Sequence, residues 1–371
     1  MSIDIIVEAP GRDRELSRLK RLAKLYAKEA PRTIVAAQSP RNPGGAHDYF
    51  SEGDYWWPDP ADPGGPYIRR DGLSNPENFN EHRLLLRRFS MIVPALTAGA
   101  IAMKDGSLAN HAVDHLDAWL VHPATRMNPH LQYGQAIQGV CTGRGIGIVD
   151  TVHLAEVAVA AIQLEQMNAL SSSVREGVNA WFAEFLRWLT ESEFGIDERD
   201  HGNNHSTCWA LQVAAMATLV DAGSDLQFAH DFLRDTLLPQ IAADGSMPLE
   251  LERTRPYNYS FFNLELFAGL AQILSWKYPG VLDPKDKIGA AMKSAFEFLL
   301  PYAANPDAWP YAPDVAYREY YPVRWSSLYF FGKAFGNQRA LGDWQALKSD
   351  SDNEEIQRNT PIRQPLLWSC K

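Results

Sequence analysis

From residue 80 onward the chain reads as one helix after another, and this constrains its fold more than any other feature. Apolar residues recur at helical spacing over 80–104, 107–121, 148–168, 173–191, 205–222, 225–243, 260–277, 285–303 and 325–340, with a further amphipathic segment at 12–29. The stretch Val149–Ala158 is typical: Asp150 and Thr151 near its start, then an Ala-rich apolar run. Strand signals are sparse, and no Asn-Gly hairpin turn separates alternating segments. About ten helices of similar length with no repeat of fixed period predict antiparallel helical hairpins packed side by side rather than a solenoid. The expected fold is all-α, an incomplete (α/α) toroid or barrel with a central cleft, formed by one domain over residues 1–371.

The stretch from 39 to 80 differs, being rich in Pro, Gly, Asn and Asp and carrying Tyr49, Phe50, Tyr55, Trp56, Trp57 and Tyr67. A loop of that length in a compact domain is functional or disordered, and its aromatic content argues against disorder. With 46% hydrophobic and 22% charged residues, the chain can bury a large core. Eleven Trp and 14 Tyr suit either an aromatic core or a carbohydrate-binding cleft.

The net charge of −10 argues against nucleic acid, whose binding needs a basic face. An anionic substrate would meet a repulsive average surface, so positive charge would have to be concentrated in the cleft. No apolar run is long enough to predict a membrane span, and Cys141, Cys208 and Cys370 have no metal-ligand spacing. The opening residues are too short an apolar run for a secretory signal. Localisation stays open: periplasmic or secreted if a signal has been removed, otherwise cytoplasmic.

Four segments carry candidate chemistry. His201-Gly202-Asn203-Asn204-His205-Ser206-Thr207-Cys208-Trp209 places two amides and a His at a helix entrance, where uncharged donors and the positive dipole end suit a carboxylate; the plainer alternative is a capping turn. Asp244–Ser260 holds Arg253, Arg255, Tyr257 and Tyr259 in what reads as an interhelical loop. The Trp56-Trp57 pair, flanked by proline and followed by Arg69, could stack on sugar faces or plug the end of the helical core. Gln135–Gly147, with Gln138 and Arg144, holds Gly-Arg-Gly-Ile-Gly, but without a preceding predicted strand it reads as a substrate groove or tight packing rather than a nucleotide loop. His111 and His115 share a helix face, better explained as a solvated surface than as a metal site.

Taken together, these segments resemble the alginate lyase superfamily of α/α-toroid polysaccharide lyases, closest to the bacterial group acting on poly-mannuronate or glucuronan. The matching residues are Asp54-Tyr55-Trp56-Trp57-Pro58-Asp59-Pro60, Gly202-Asn203-Asn204-His205-Ser206, and Pro248-Leu249-Glu250-Leu251 running into Arg253 and Tyr259, within roughly 35–340. In the family one more residue separates the Arg from the Tyr; here the interval is six positions, and Tyr259 fits the register better than Tyr257.

The resemblance implies β-elimination of a 1,4-linked uronan, most readily mannuronate-rich alginate, with Tyr259, His205, Asn204 and Arg253 catalytic. Tyr55, Trp56, Trp57, Arg69, Gln138, Arg144, Asn203, Arg255 and Tyr257 are the implied substrate-binding residues. The partner would be an anionic polysaccharide, with no nucleic acid or membrane involved. Asn204, His205 and Arg253 would neutralise the uronate carboxylate, so that no metal or redox cofactor is needed. A phenol ordinarily ionises near pH 10, and a neighbouring Arg favours the phenolate required of a base. His205 could instead be the base, with Tyr259 only the acid. A glycoside hydrolase of the same fold would need two carboxylates, for which Glu250 and Glu252 are candidates. A carbohydrate-binding scaffold would keep the aromatics but not need the Asn-His-Arg-Tyr set.

Overall fold

The computed structural model describes residues 9–369. Helices dominate and the strands are short, as the all-α class requires. By contacts the described residues form two compact units: one running to Glu198 and taking in 219–221 and 366–369, the other comprising Arg199–Thr218 and Ala222–Pro365.

The first unit holds α1 (Ala9–Tyr26), α2 (Glu81–Met103), α3 (Gly106–Leu116), α4 (Leu154–Gln166), α5 (Ser172–Glu191) and most of α6 (Glu193–Arg199). Its centre is α2, which packs against α1, α3 and α4. By length and hydropathy α2 could cross a bilayer, but 78% of its apolar window is buried within the protein, as in a core helix. The stretch expected to be loop from 39 to 80 contains β1 (Phe50–Glu52), β2 (Trp56–Trp57) and β3 (Ile68–Arg69). β1 pairs in parallel with β4 (Tyr133–Ala136), and β2 pairs antiparallel with β3, Trp56 opposite Arg69. Strands of two to four residues are too short to show alternation, so the sequence gives no sign of them.

Two readings of this unit are corrected or resolved. The glycines at 143–147 serve close backbone approach: a Cβ on Gly143 would meet the Gln132 carbonyl oxygen at 2.1 Å, and one on Gly147 the Gly134 carbonyl carbon at 2.7 Å. The His111–His115 face is not a solvated surface. Both Nε2 atoms lie on the Glu29 carbonyl oxygen, at 2.9 and 3.0 Å, and His115 is buried. Among the described residues, Cys141 and Cys208 carry thiols outside any disulfide; Cys370 lies outside the described residues.

The second unit holds most of α7 (Asn204–Leu219), with α8 (Gly223–Phe232), α9 (Pro248–Leu251), α10 (Pro256–Leu274), α11 (Lys287–Ala303), α12 (Ser326–Ala334), α13 (Gln338–Ala346) and α14 (Glu354–Asn359). Helix α10 packs against α9, α11 and α12, and every residue of it except Gln272 is buried. It begins four residues before the expected 260, because Pro256 has its φ preset for the first helical position and needs no N–H there. The expected 325–340 helix ends near Gly336, whose φ of +66° breaks it into α12 and α13.

Three helix starts in this unit receive a buried carboxylate from elsewhere in the chain. Asp314 accepts from the N–H groups of Tyr257 (2.9 Å) and Asn258 (3.0 Å) at the start of α10. Glu265, within α10, accepts from Ser326 (2.9 Å) and Ser327 (2.6 Å) at the start of α12. Glu250 accepts from the main-chain N–H of Asn204 (2.8 Å) at the start of α7. An anion there satisfies orphan donors and complements the helix dipole.

Candidate active site

The start of α7 is built as a cap. The Asn203 side-chain oxygen accepts from the His205 N–H at 3.0 Å, and the Gly202 N–H donates to Ser206 Oγ at 2.7 Å. With its oxygen on the cap, Asn203 serves the helix, as the capping-turn alternative held. Gly202 sits at φ +86°, a conformation that favours glycine. The turn delivers Asn204 and His205 side by side, Asn204 buried and His205 half-buried, with the His201 and His205 rings 4.8 Å apart.

Asn204 is gripped twice by Glu250, through its main-chain N–H at 2.8 Å and its side-chain Nδ2 at 2.7 Å. Glu250 is 1% exposed. Burial pushes its carboxyl up from the ordinary range, against the two Asn204 donors and the nearby Arg253 and His205. Asn263 Nδ2, from the second turn of α10, reaches Gln240 Oε1 at 3.0 Å and Glu250 Oε1 at 3.4 Å.

Arg253 and Tyr259 are stacked, the half-buried guanidinium carbon 4.1 Å from the centroid of the phenol ring. Tyr257 and Tyr259 both lie in the first turns of α10, not in the expected loop. Tyr257 points into an aromatic cluster with Phe261, Trp309 and Tyr321, and its hydroxyl donates to the Tyr302 carbonyl at 3.2 Å. Burial pushes its phenol well above the ordinary range. Arg255 is fully buried: Nη1 bonds Glu355 at 2.6 Å, and the guanidinium lies 5.0 Å from the Tyr317 ring and 5.8 Å from that of Tyr259. Tyr257 and Arg255 are thus both buried and engaged with other side chains and carbonyls of the protein.

The remaining candidates belong to the first unit. Trp56 and Trp57 are half-buried on β2 and do not plug the core, whose fully buried tryptophans in this unit are Trp119 and Trp368. Arg144 lies 5.8 Å from the Trp56 ring and Arg70 5.3 Å from that of Trp57. Arg144 is held by the Gln135 carbonyl and Oε1, each at 3.0 Å, and Gln135 Nε2 is bound to Asp150 at 3.1 Å. Trp57 Nε1 donates to the Leu73 carbonyl at 2.9 Å, and Arg70 N–H to that of Tyr55 at 2.7 Å. Arg69 is exposed and paired with Asp71 at 2.6 Å, and Gln138 is exposed.

Glu250, Asn263 and Asp314 were not identified from the sequence as supports of the site. Only the single-turn pattern Pro248-Leu249-Glu250-Leu251 hinted at one of them.

The comparisons with known proteins follow the same lines. The sequence matches the family model for alginate lyase over residues 33–309. The crystal structure of an alginate lyase from Bacteroides ovatus is similar with a TM-score of 0.80 and 28% identity, over 98% of this chain and 95% of that one. A His-to-Ala variant of alginate lyase A1-III complexed with a tetrasaccharide aligns at TM-score 0.62 and 18% identity, over 94% and 93% of the two chains. Alginate lyase A1-III from Sphingomonas species A1 aligns at 0.58 and 17% over the same shares. No curated protein sequence gives a significant match. The likeness extends over nearly the whole chain and carries with it the all-α toroid fold. The chain is thus a polysaccharide lyase and belongs to the alginate lyase family.

Proposed function

We propose that this lyase cleaves 1,4-linked uronan by β-elimination, with mannuronate-rich alginate as its first substrate, Tyr259 as base and acid, and Asn204, His205 and Arg253 binding the uronate carboxylate. The observation that carries this reading is convergence on one buried carboxylate: Glu250 bonds Asn204 and lies near Arg253 and His205, while Arg253 lies on the Tyr259 ring. Residues spread from 204 to 259 thereby meet in one place.

The chemistry calls for this set. The C5 proton is hard to remove while the neighbouring carboxylate is charged, so donors that neutralise the carboxylate stabilise the developing dianion. Tyr259 as phenolate takes the C5 proton, the electron pair forms the C4–C5 double bond, the C4–O4 bond breaks, and the phenol returns a proton to O4. One group can serve both steps because C5–H and O4 lie on the same face in β-D-mannuronate. Arg253 supplies positive charge beside the ring. Asn203, Arg255 and Tyr257 act in this reading as supports. Tyr55, Trp56, Trp57, Arg69, Gln138 and Arg144 are proposed to bind the polymer.

The test is ultraviolet absorbance of the conjugated product on poly-mannuronate, poly-guluronate and glucuronan side by side. D-Glucuronate matches D-mannuronate at C4 and C5 and differs at C2, so slower product formation on glucuronan is expected. Poly-guluronate, which presents proton and leaving group on opposite faces, should be resisted. A preference for poly-guluronate would overturn the single-tyrosine mechanism.

A further inference from the structure

We propose that Glu250 is a positioning residue of the elimination, fixing which end of the Asn204 amide faces the uronate carboxylate; this rests on the reading above. A side-chain amide is nearly symmetric in shape, but only its nitrogen end donates. A carboxylate only accepts, so the 2.7 Å contact from Asn204 to Glu250 Oε2 commits the amide nitrogen to that side. The second N–H on that nitrogen is then held at an angle set by the planar amide and remains for the substrate. Glu250 Oε1 meanwhile takes the Asn204 main-chain N–H at 2.8 Å, so both halves of the residue are fixed by one group.

The other two carboxylate-capped helix starts show that this exceeds ordinary capping. Asp314 and Glu265 each take two main-chain N–H groups at their helix starts, whereas Glu250 takes one main-chain and one side-chain donor from the same residue. Glu250 is itself tied by Asn263 to α10, the helix that carries Tyr259. The amide is thereby registered to the helix bearing the proposed base.

Glu250→Gln keeps size and one acceptor but turns an NH2 toward one of the two Asn204 donors. One bond is lost, or the Asn204 amide turns over to offer its oxygen. We expect E250Q to lower kcat on poly-mannuronate by the 10²–10³ typical of losing one oxyanion donor, with little change in KM. In an Asn204→Ala background the same substitution should change kcat little further, since Glu250 acts through Asn204. Glu265→Gln is the capping control: it should lower the melting temperature while its folded fraction keeps kcat close to wild type. A near-wild-type kcat for E250Q, or losses that multiply in the double variant, overturns the proposal. If E250Q does not fold, the cycle is run with Glu250→Asp under the same criterion. A wild-type enzyme that forms no unsaturated product from any uronan sinks the elimination reading and this one with it. An active wild type with an active E250Q sinks this one alone.

Discussion

Two tyrosines two positions apart on α10 have opposite surroundings, and this divides their roles. The Tyr257 hydroxyl is spent on a carbonyl within an aromatic cluster, whereas Tyr259 lies beneath the Arg253 guanidinium. Tyr259→Phe, which removes one oxygen, should leave no more than a few per cent of turnover while binding of uronan oligomers persists. Retention of most turnover would strip Tyr259 of its role. Tyr257→Phe should lower the melting temperature and spare kcat in the folded fraction. His205 stands at the start of α7, where the helix dipole helps to bind an anion. His205→Ala should therefore cost on the order of 10²–10³ in kcat, and His205→Gln, which retains a donor of similar reach, should recover part of it. If the Gln variant is as inactive as the Ala variant, and a small amine in solution restores the latter, His205 is the base. Tyr259 is then only the acid.

At the scale of elements, what could be read from the sequence was what lies close together along it. The long helices show because their apolar period persists over many residues, and the Asn-Asn-His-Ser cluster shows because four consecutive residues carry it. The carboxylates that set the helix starts did not show, since each acts across a gap without local pattern: 46 residues from Glu250 to Asn204, 57 from Asp314 to Tyr257, 61 from Glu265 to Ser326. The short β2–β3 hairpin was hidden for the opposite reason, being too brief to show a period, although its Trp pair stood out by composition. Trp56→Ala should raise KM for long polymers more than it lowers kcat, because stacking is similar in ground and transition states. Trp57→Ala should also lower the melting temperature, since it removes the bond to Leu73. A loss of stability with unchanged kinetics in both variants would make the hairpin purely structural. A further long-range tie joins α14 to the segment before α10: Glu355, although burial opposes its ionisation, is held down to about 2 by Arg358 and Arg255. Because that value lies below the ordinary 4.5, the pair stabilises the fold above pH 4.5 and loses this as pH falls toward 2. Glu355→Gln removes the carboxylate bonded to buried Arg255 and should cost up to about 3–5 kcal/mol at pH 7. The gap in stability from wild type should narrow at acid pH. A gap that stays constant with pH would mean that the charge on Glu355 contributes nothing.

For the whole molecule the central difficulty is electrostatic: a chain of net charge −10 is proposed to act on a polyanion. The average field would repel the polymer over long distances, while the arginines proposed above to meet it would attract it at contact. Salt separates the two by range. The screening length is about 30 Å at 0.01 M and about 10 Å at 0.1 M, so modest salt weakens the distant repulsion before it reaches contacts a few ångströms long. We therefore expect kcat/KM on poly-mannuronate to rise from the lowest salt to about 0.1 M and to fall beyond it, as screening reaches the site. Since repulsion acts on encounter, the rise should appear in kcat/KM and leave kcat nearly constant. Replacing Arg69 or Arg144 with Gln should weaken the local attraction and move the maximum to higher salt. A steady fall of kcat/KM from the lowest salt would show that local positive charge already governs capture, and that the net charge lies too far from the path of the polymer to oppose it.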